Sequence, residues 1–355
     1  MPFLDFDINN KYFDIKSNSF RIIDKRAYMQ WLGLNLNIIW TRGCPNKCAY
    51  CYNSTFISQH RDNAKIRYPS PHYIIDEIKS VLKIYPMISW ISFIDDGMMA
   101  ISYEKLREFA ELYANEIKLP FLTYGTHPNY ITEEKIRLLV KSGSIFFRMG
   151  IQNFSEKILQ VYNRKTSIEL IDKSVEIIAK FREYITPPGY DIILDNFFST
   201  ISERREHLEK VYNMPRPFII NLHSLRIFPA SLLEINIKNI TSENIPKSRD
   251  KNLLHLRMTV FNISHYLLSI IKPAKRIFNL ILKYGCDDIK EYNLLGTFMR
   301  FLFLIRRGLG NIYRMDFSFI SGNLSYILYF LKKAGILKLY NEYTFYKLKN
   351  EKKLI

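Results

Sequence analysis

The sequence predicts an α/β fold: a parallel sheet curled into a barrel or part of one, followed by a mainly helical C-terminal region. Short runs rich in Ile, Leu and Phe alternate with amphipathic helical patterns through the middle of the chain. The runs lack polar–apolar alternation, as expected of strands covered on both faces. After about Leu233 the strand-like runs fade and the helical patterns lengthen.

The expected strands are 36–41, 89–94, 120–124, 145–151, 191–194 and 218–225. The helical pattern at 71–85 opens after Ser70, with Pro71 suited to a first helical position. The pattern at 103–117 follows Ser102, a good N-cap. The stretch 132–143 has Thr132 as cap, Glu133 and Glu134 in its first turn, and Gly143 at its end. Patterns at 155–162, 167–182 and 202–212 complete the set. Six βα units in about 190 residues argue for a parallel sheet; eight would make a complete (β/α)₈ barrel. Further helices are expected at 252–271, 274–284, 294–307 and 325–333. The resulting division is an N-terminal segment (1–34), a core (35–235) and a basic, mainly helical region (236–355).

With 48% hydrophobic and 15% aromatic residues, the 355-residue chain has enough apolar surface for a sizeable core, which excludes disorder of the whole chain. It has four cysteines, three of them within eight residues, unlike a secreted disulfide scaffold. The opening MPFLDFDINNKYFD has no basic segment leading into an apolar run, so no signal peptide is expected. No stretch reaches about 18 uninterrupted apolar residues; the best candidate, 298–305, is short and contains Arg300. A reducing cytoplasm fits these features.

The net charge of +17 is uneven: from Asn236 onward 21 Lys and Arg face 8 Asp and Glu, leaving +4 on the first 235 residues. Such a region reads as a solvated basic surface, or as one that meets an anionic membrane, an acidic partner or nucleic acid. With Arg300, Arg306, Arg307, Lys332, Lys333, Lys352 and Lys353 among aromatic and aliphatic residues, amphipathic helices on an anionic membrane are one expectation. No base-reading motif is visible, so nucleic acid is the weaker choice.

The central motif is Thr41-Arg-Gly-Cys-Pro-Asn-Lys-Cys-Ala-Tyr-Cys-Tyr-Asn-Ser54. Spacings of three and then two residues, on a loop after the first strand, can point Cys44, Cys48 and Cys51 at one centre. Thiolates are the ligands of iron–sulfur clusters, normally four per [4Fe–4S] cluster; three would leave one iron open to a substrate or cofactor. Active sites of such barrels gather at the C-terminal ends of the strands, where this loop lies. Zinc wants four tetrahedral ligands, and neither His60 nor Cys286 stands at a standard zinc spacing.

Cys44-x₃-Cys48-x₂-Cys51, with the aromatic Tyr50 before the last cysteine, resembles the signature of the radical S-adenosylmethionine (SAM) superfamily. The resemblance runs for nearly 200 residues and is similar to the radical SAM module of cobalamin-binding radical SAM proteins. It continues through Ser92-Phe-Ile-Asp-Asp96, Arg148-Met-Gly-Ile-Gln152, Tyr162-Asn-Arg164, Tyr190-Asp-Ile-Ile-Leu-Asp-Asn196, Pro215-Arg-Pro-Phe218 and Ser224-Leu-Arg-Ile-Phe-Pro229. It implies a partial (β/α)₆ TIM-like barrel, a [4Fe–4S] cluster and SAM. A flavodoxin- or ferredoxin-like one-electron donor would reduce the cluster, so that SAM is cleaved to a 5′-deoxyadenosyl radical for methyl transfer or hydrogen abstraction.

Under that resemblance Asp95 and Asp96 would accept hydrogen bonds from the SAM ammonium, and Gln152 would contact its ribose or carboxylate. Arg164 would pair with the carboxylate, Asp195 and Asn196 would line the adenine pocket, and Tyr50 would pack near adenine. Catalytic residues beyond these are unassigned. His127, alone after the third strand, reads as structural. Relatives often carry Pro-Gly-Glu-Thr where this chain has Phe197-Phe-Ser-Thr200, and Phe-Pro-Gly-Thr where it has Phe228-Pro-Ala-Ser231. Loss of that glycine removes freedom for positive φ, which motivates an alternative: a catalytically degenerate iron–sulfur or zinc-binding interaction protein. The opening residues resemble the linker that follows a cobalamin-binding domain. Such a domain needs on the order of 100 residues, so cobalamin is expected only through a separate module.

Overall fold

The computed structural model describes all residues except 1, 4, 6–10, 25–26, 30–32, 198, 241–255, 288, 314–315, 318–324, 340–341 and 343–355. An antiparallel hairpin, β1 (Lys11–Asp14) and β2 (Ser19–Ile22), comes first. Then β3 (Asn35–Ile38), β4 (Trp90–Phe93), β5 (Phe121–Thr126), β6 (Ser144–Gln152), β7 (Gly189–Leu194) and β8 (Ile219–Ser224) form one six-stranded sheet in chain order. Every neighbouring pair is parallel, so each strand returns through a crossover. The result is the expected partial barrel, with β3 and β8 as its edges.

All six expected strands are present, with ends moved by up to a few residues. Side-chain caps hold the intervening helices, those at Ser102 and Thr132 as expected. Ser70, Ser102, Thr132, Ser155 and Ser167 each accept the backbone N–H three residues on, and Thr200 forms a capping box with Glu203. These bonds satisfy N–H groups that a helix start leaves without partners.

The core lies between the sheet and its helices. Trp90, Phe93, Phe121, Phe147, Tyr190, Ile192 and Ile220 pack with Phe109, Tyr113, Ile136, Ile171 and Val211. Because side chains alternate along a strand, the residues between these on β6, β7 and β8 face the barrel interior. Gly125 at φ +65 lets β5 lie against β4: a Cβ there would stand 1.9 Å from the Asp95 carbonyl oxygen.

The C-terminal region is helical as expected, in Val260–Ile270, Lys275–Tyr284, Asn293–Tyr313 and Ser325–Lys333. The first helix was expected from 252, but 251–255 lie outside the described residues and 256–259 are not helical. Tyr212 stacks on Phe278 at 4.1 Å between centroids. His207 meets His265 edge-to-face at 5.1 Å, and burial holds both imidazoles well below their ordinary pKa, hence neutral. Among the described residues, no helix is long and apolar enough to cross a membrane.

Candidate active site

The cysteine loop leaves the C-terminal end of β3 and turns at Gly43, whose φ of +94 suits glycine. An antiparallel bridge between Arg42 and Arg67 pins its start. Cys51 ends the loop as N-cap of the helix Tyr52–Gln59, which the sequence did not foretell. Burial raises the Cys44 thiol, and raises Cys51 to about 11. Cys48 and Asp96 stand close enough to disfavour ionisation of Cys44 and Cys51 further. A cationic iron centre reverses that sign, so this donor set fits a metal cluster better than free thiols. Among the described residues, no three His, Cys, Asp or Glu side chains converge on a single ion, whereas cluster thiolates each bind a different iron.

Three consecutive residues grip this loop. The Tyr162 carbonyl accepts from Ala49 N at 2.7 Å, and Asn163 Nδ2 donates to the Lys47 carbonyl at 2.8 Å. Arg164 Nη1 lies 3.0 Å from Tyr50 Oη and 3.6 Å from Cys48 Sγ, while Nη2 donates to the Gly150 carbonyl. From the other side Leu233 N donates to the Ala49 carbonyl at 3.0 Å. Arg164 is buried, and among the described residues its Nε has no hydrogen-bond partner and no carboxylate pairs with it.

The structure thus brings Tyr50, Arg164 and the cysteines together, with Asp96 beside them. Tyr50 packs edge-on against Tyr162 at 5.2 Å. Gln152 ends β6 at φ +73, in the register shift between β6 and β7. The remaining candidates have their side chains engaged within the protein. Asp195 Oδ1 accepts from Asn262 Nδ2 at 2.7 Å and Oδ2 from Arg257 N at 3.0 Å, tying the barrel to the helical region. Asn196 Oδ1 accepts from Ser199 N and Oγ. His127 is buried, and its Nδ1 accepts from Asn129 N at 3.2 Å, a turn-holding role.

Ala230 sits at φ +61, so the expected loss of positive φ at that glycine position does not occur. A left-handed alanine costs about 1–2 kcal/mol. The loop is held by the bonds of Ala230 N to Glu234 Oε2 (2.7 Å) and of Thr55 Oγ1 to the Ala230 carbonyl (3.4 Å).

Asp95 is buried behind the loop, where Oδ1 accepts the Thr41 N–H and Oδ2 has no partner among the described residues. Burial raises its pKa to about 6. The folded chain therefore binds more protons than the unfolded one between about pH 4 and 6, and this contribution to stability falls as pH rises through that window. Asp95→Asn should gain on the order of 2 kcal/mol over wild type on going from pH 4.5 to pH 7. Urea unfolding of both metal-free chains at the two pH values measures it; His207 and His265, which act in the opposite direction, are common to both. An unchanged difference would refute this reading.

Strand register also assembles a group that sequence patterns did not single out. Arg148 Nε on β6 reaches both Asp191 oxygens on β7 at 2.8 and 3.0 Å. On β8, Asn221 Nδ2 donates to Asp191 Oδ1 at 3.0 Å, and His223 Nε2 lies 3.5 Å from both Asp191 Oδ1 and Arg148 Nη2. Arg148 and Asp191 lay within recognisable segments, but only the β6–β7–β8 pairing makes them a polar wall inside the barrel.

The fold and loop together define a radical SAM domain. Residues 38–211 match the radical SAM superfamily, and the chain carries that domain. It is 26% identical over 179 residues to the anaerobic magnesium-protoporphyrin IX monomethyl ester cyclase of Rubrivivax gelatinosus, covering 50% of this chain and 30% of that protein. The fold is similar to that of the radical SAM methyltransferase TsrM from Kitasatospora setae (TM-score 0.51, 15% identity, 64% of this chain and 42% of TsrM). It is also similar to the cobalamin-dependent SAM radical enzyme OxsB (TM-score 0.51, 11% identity, 96% of this chain and 64% of OxsB). The chain thus spans less than two thirds of each of these proteins. A radical SAM domain implies a [4Fe–4S] cluster and SAM.

Proposed function

We propose that the chain is a radical SAM enzyme in which Cys44, Cys48 and Cys51 hold a [4Fe–4S] cluster. It starts radical chemistry, by methyl transfer or hydrogen abstraction, on a substrate yet to be identified. The observation that carries this reading is the placement of three thiols on one loop at the C-terminal end of the sheet, gripped by Tyr162, Asn163 and Arg164. When bound, the reduced cluster supplies the electron that cleaves SAM to a 5′-deoxyadenosyl radical.

The chain's own residues orient and shield that centre. Gly43 and the Arg42–Arg67 bridge set the loop's path, Asp95 holds its first turn, and Arg164 places positive charge beside Cys48. The wall of Arg148, Asp191, Asn221 and His223 offers donors and an acceptor to a polar group of a substrate inside the barrel. A flavodoxin- or ferredoxin-like donor would supply electrons, and a separate cobalamin-binding protein is a proposed partner. The relatives TsrM and OxsB, described as binding cobalamin, motivate that last point.

The test is anaerobic reconstitution with iron and sulfide, reduction, and addition of SAM. The expected result is a SAM-dependent change in the cluster's EPR spectrum together with 5′-deoxyadenosine. A colourless protein that takes up zinc in place of iron would overturn the assignment.

A further inference from the structure

We infer that the lobe from Arg42 to Arg67 is the seat of an acidic one-electron carrier protein of the flavodoxin or ferredoxin type. The inference rests on the reading of Cys44, Cys48 and Cys51 as cluster ligands. The lobe leaves the barrel with the thiol loop and continues through the Tyr52–Gln59 helix and the short 3₁₀ turn Arg61–Ala64. It then returns to its own start, where Arg67 pairs with Arg42.

Its charge is out of proportion to its length. Arg42, Lys47, Arg61, Lys65 and Arg67 stand against a single acid, Asp62, which leaves the lobe at +4. The first 235 residues carry +4 in all, so the rest of that stretch is balanced. All five basic residues are exposed, and Asp62 engages Lys65 at 3.5 Å.

An exposed aromatic patch adjoins these charges. On the Tyr52–Gln59 helix Ser54, Thr55 and Ile57 are buried, which leaves Tyr52 and Phe56, one turn apart, on the outer side. Their rings meet edge-on at 5.0 Å, and Phe228 meets Tyr52 at 6.2 Å. The three are between 39% and 48% exposed. An aromatic centre with a polar rim is the anatomy of a protein interface. An eight-residue helix is about 12 Å long, and a standard interface covers about 800 Å² a side, about 30 Å across. A partner seated on Tyr52 and Phe56 therefore also reaches Arg61 and Lys65, just past the helix end.

Position and charge together select the occupant. Tyr52 follows Cys51 directly in the chain, so a protein on this patch stands beside the cluster. Electron transfer slows steeply with distance, which favours a carrier seated here. One electron passes from the carrier to the cluster: the carrier is oxidised by one electron, the cluster is reduced by one, and no bond forms or breaks. The charge of +4 calls for an acidic surface, which also speeds encounter. A second copy would set like charge against like. Nucleic acid or an anionic lipid would answer the charge but brings no electron.

The test mixes the reconstituted full chain with an acidic flavodoxin. Titration calorimetry without turnover should show binding at low salt that weakens about tenfold or more at about 0.5 M salt. Arg61→Glu with Lys65→Glu should weaken binding about tenfold or more, and slow bleaching of the cluster by reduced flavodoxin by a similar factor. Bleaching by dithionite, which needs no docking, should stay within about twofold of wild type. Phe56→Ser should weaken binding about tenfold while keeping the salt dependence. The salt series on wild type does not depend on any variant folding. Absence of binding at low salt, binding indifferent to salt, or equal binding by wild type and the charge-reversal variant would overturn the inference. So would a stable dimer in light scattering that Phe56→Ser dissolves. If dithionite and SAM give no 5′-deoxyadenosine with wild type, the proposed function fails instead, which keeps the two failures apart.

Discussion

Cys48→Ala is expected to abolish cluster assembly. Iron should fall from about four per chain to below one after reconstitution, and 5′-deoxyadenosine formation should drop by at least about 10³-fold. Cys48 is the buried member of the three thiols, and two thiolates leave the remaining iron sites to solvent, where the cluster degrades. Cys286→Ala is the control: this thiol is buried in the helical region beside Arg204 and Arg205, and its loss should leave iron unchanged. Iron and sulfide analysis with the visible absorption spectrum decides the point. Equal iron in Cys48→Ala and wild type would remove Cys48 from the ligand set.

Arg164→Met should lower the cluster's reduction potential while leaving most of the iron in place. The guanidinium is buried against Cys48, the Tyr50 hydroxyl and the Gly150 carbonyl, with no carboxylate pairing it among the described residues. Burying an uncompensated cation is costly, and an anionic thiolate–cluster unit supplies the missing charge. One charge at about 6 Å in an effective dielectric near 20 contributes about 3 kcal/mol, on the order of 100 mV for one electron. Removing it should shift the potential negative by that order and slow SAM cleavage about 10–100-fold at fixed reductant. Arg164→Lys keeps the charge but cannot span Tyr50 and Gly150 with one planar fork, so it should recover most of the potential and only part of the rate. A redox titration followed by EPR measures this; an unmoved potential would reduce Arg164 to a purely structural loop clamp.

Those effects converge on a loop whose chemistry was readable before any coordinates. Three cysteines at spacings of three and two, in a loop containing Gly43, Pro45, Asn46 and Lys47, point to a cluster because few other arrangements put three thiols together on a polar turn. The barrel strands and most helix starts were equally legible, since buried parallel strands read as apolar runs and Ser or Thr caps announce helices. The β1–β2 hairpin escaped because its eight strand residues are mostly exposed and lack a clear alternating apolar face. Tyr52–Gln59 escaped because its start is capped by Cys51 without a side-chain hydrogen bond.

Residue roles were less legible. Asp195 and Asn196 follow a strand end, as ligand-binding residues do, yet their oxygens are occupied by Asn262, Arg257 and Ser199. Which oxygen is occupied depends on partners up to 67 residues away, as with Asp195 and Asn262.

By itself, the sequence determined the α/β class, the order of the six barrel strands and the position of the thiol loop, because periodicity, caps and short-range spacing are local properties. Tertiary structure decided the rest. It set Arg164 against Cys48, joined Arg148, Asp191 and His223 across three strands, let Ala230 keep a left-handed backbone, and brought Arg67 back to Arg42 beside the thiol loop. Each of these depends on contacts between residues distant in the chain, and burial and charge compensation arise only when those residues meet.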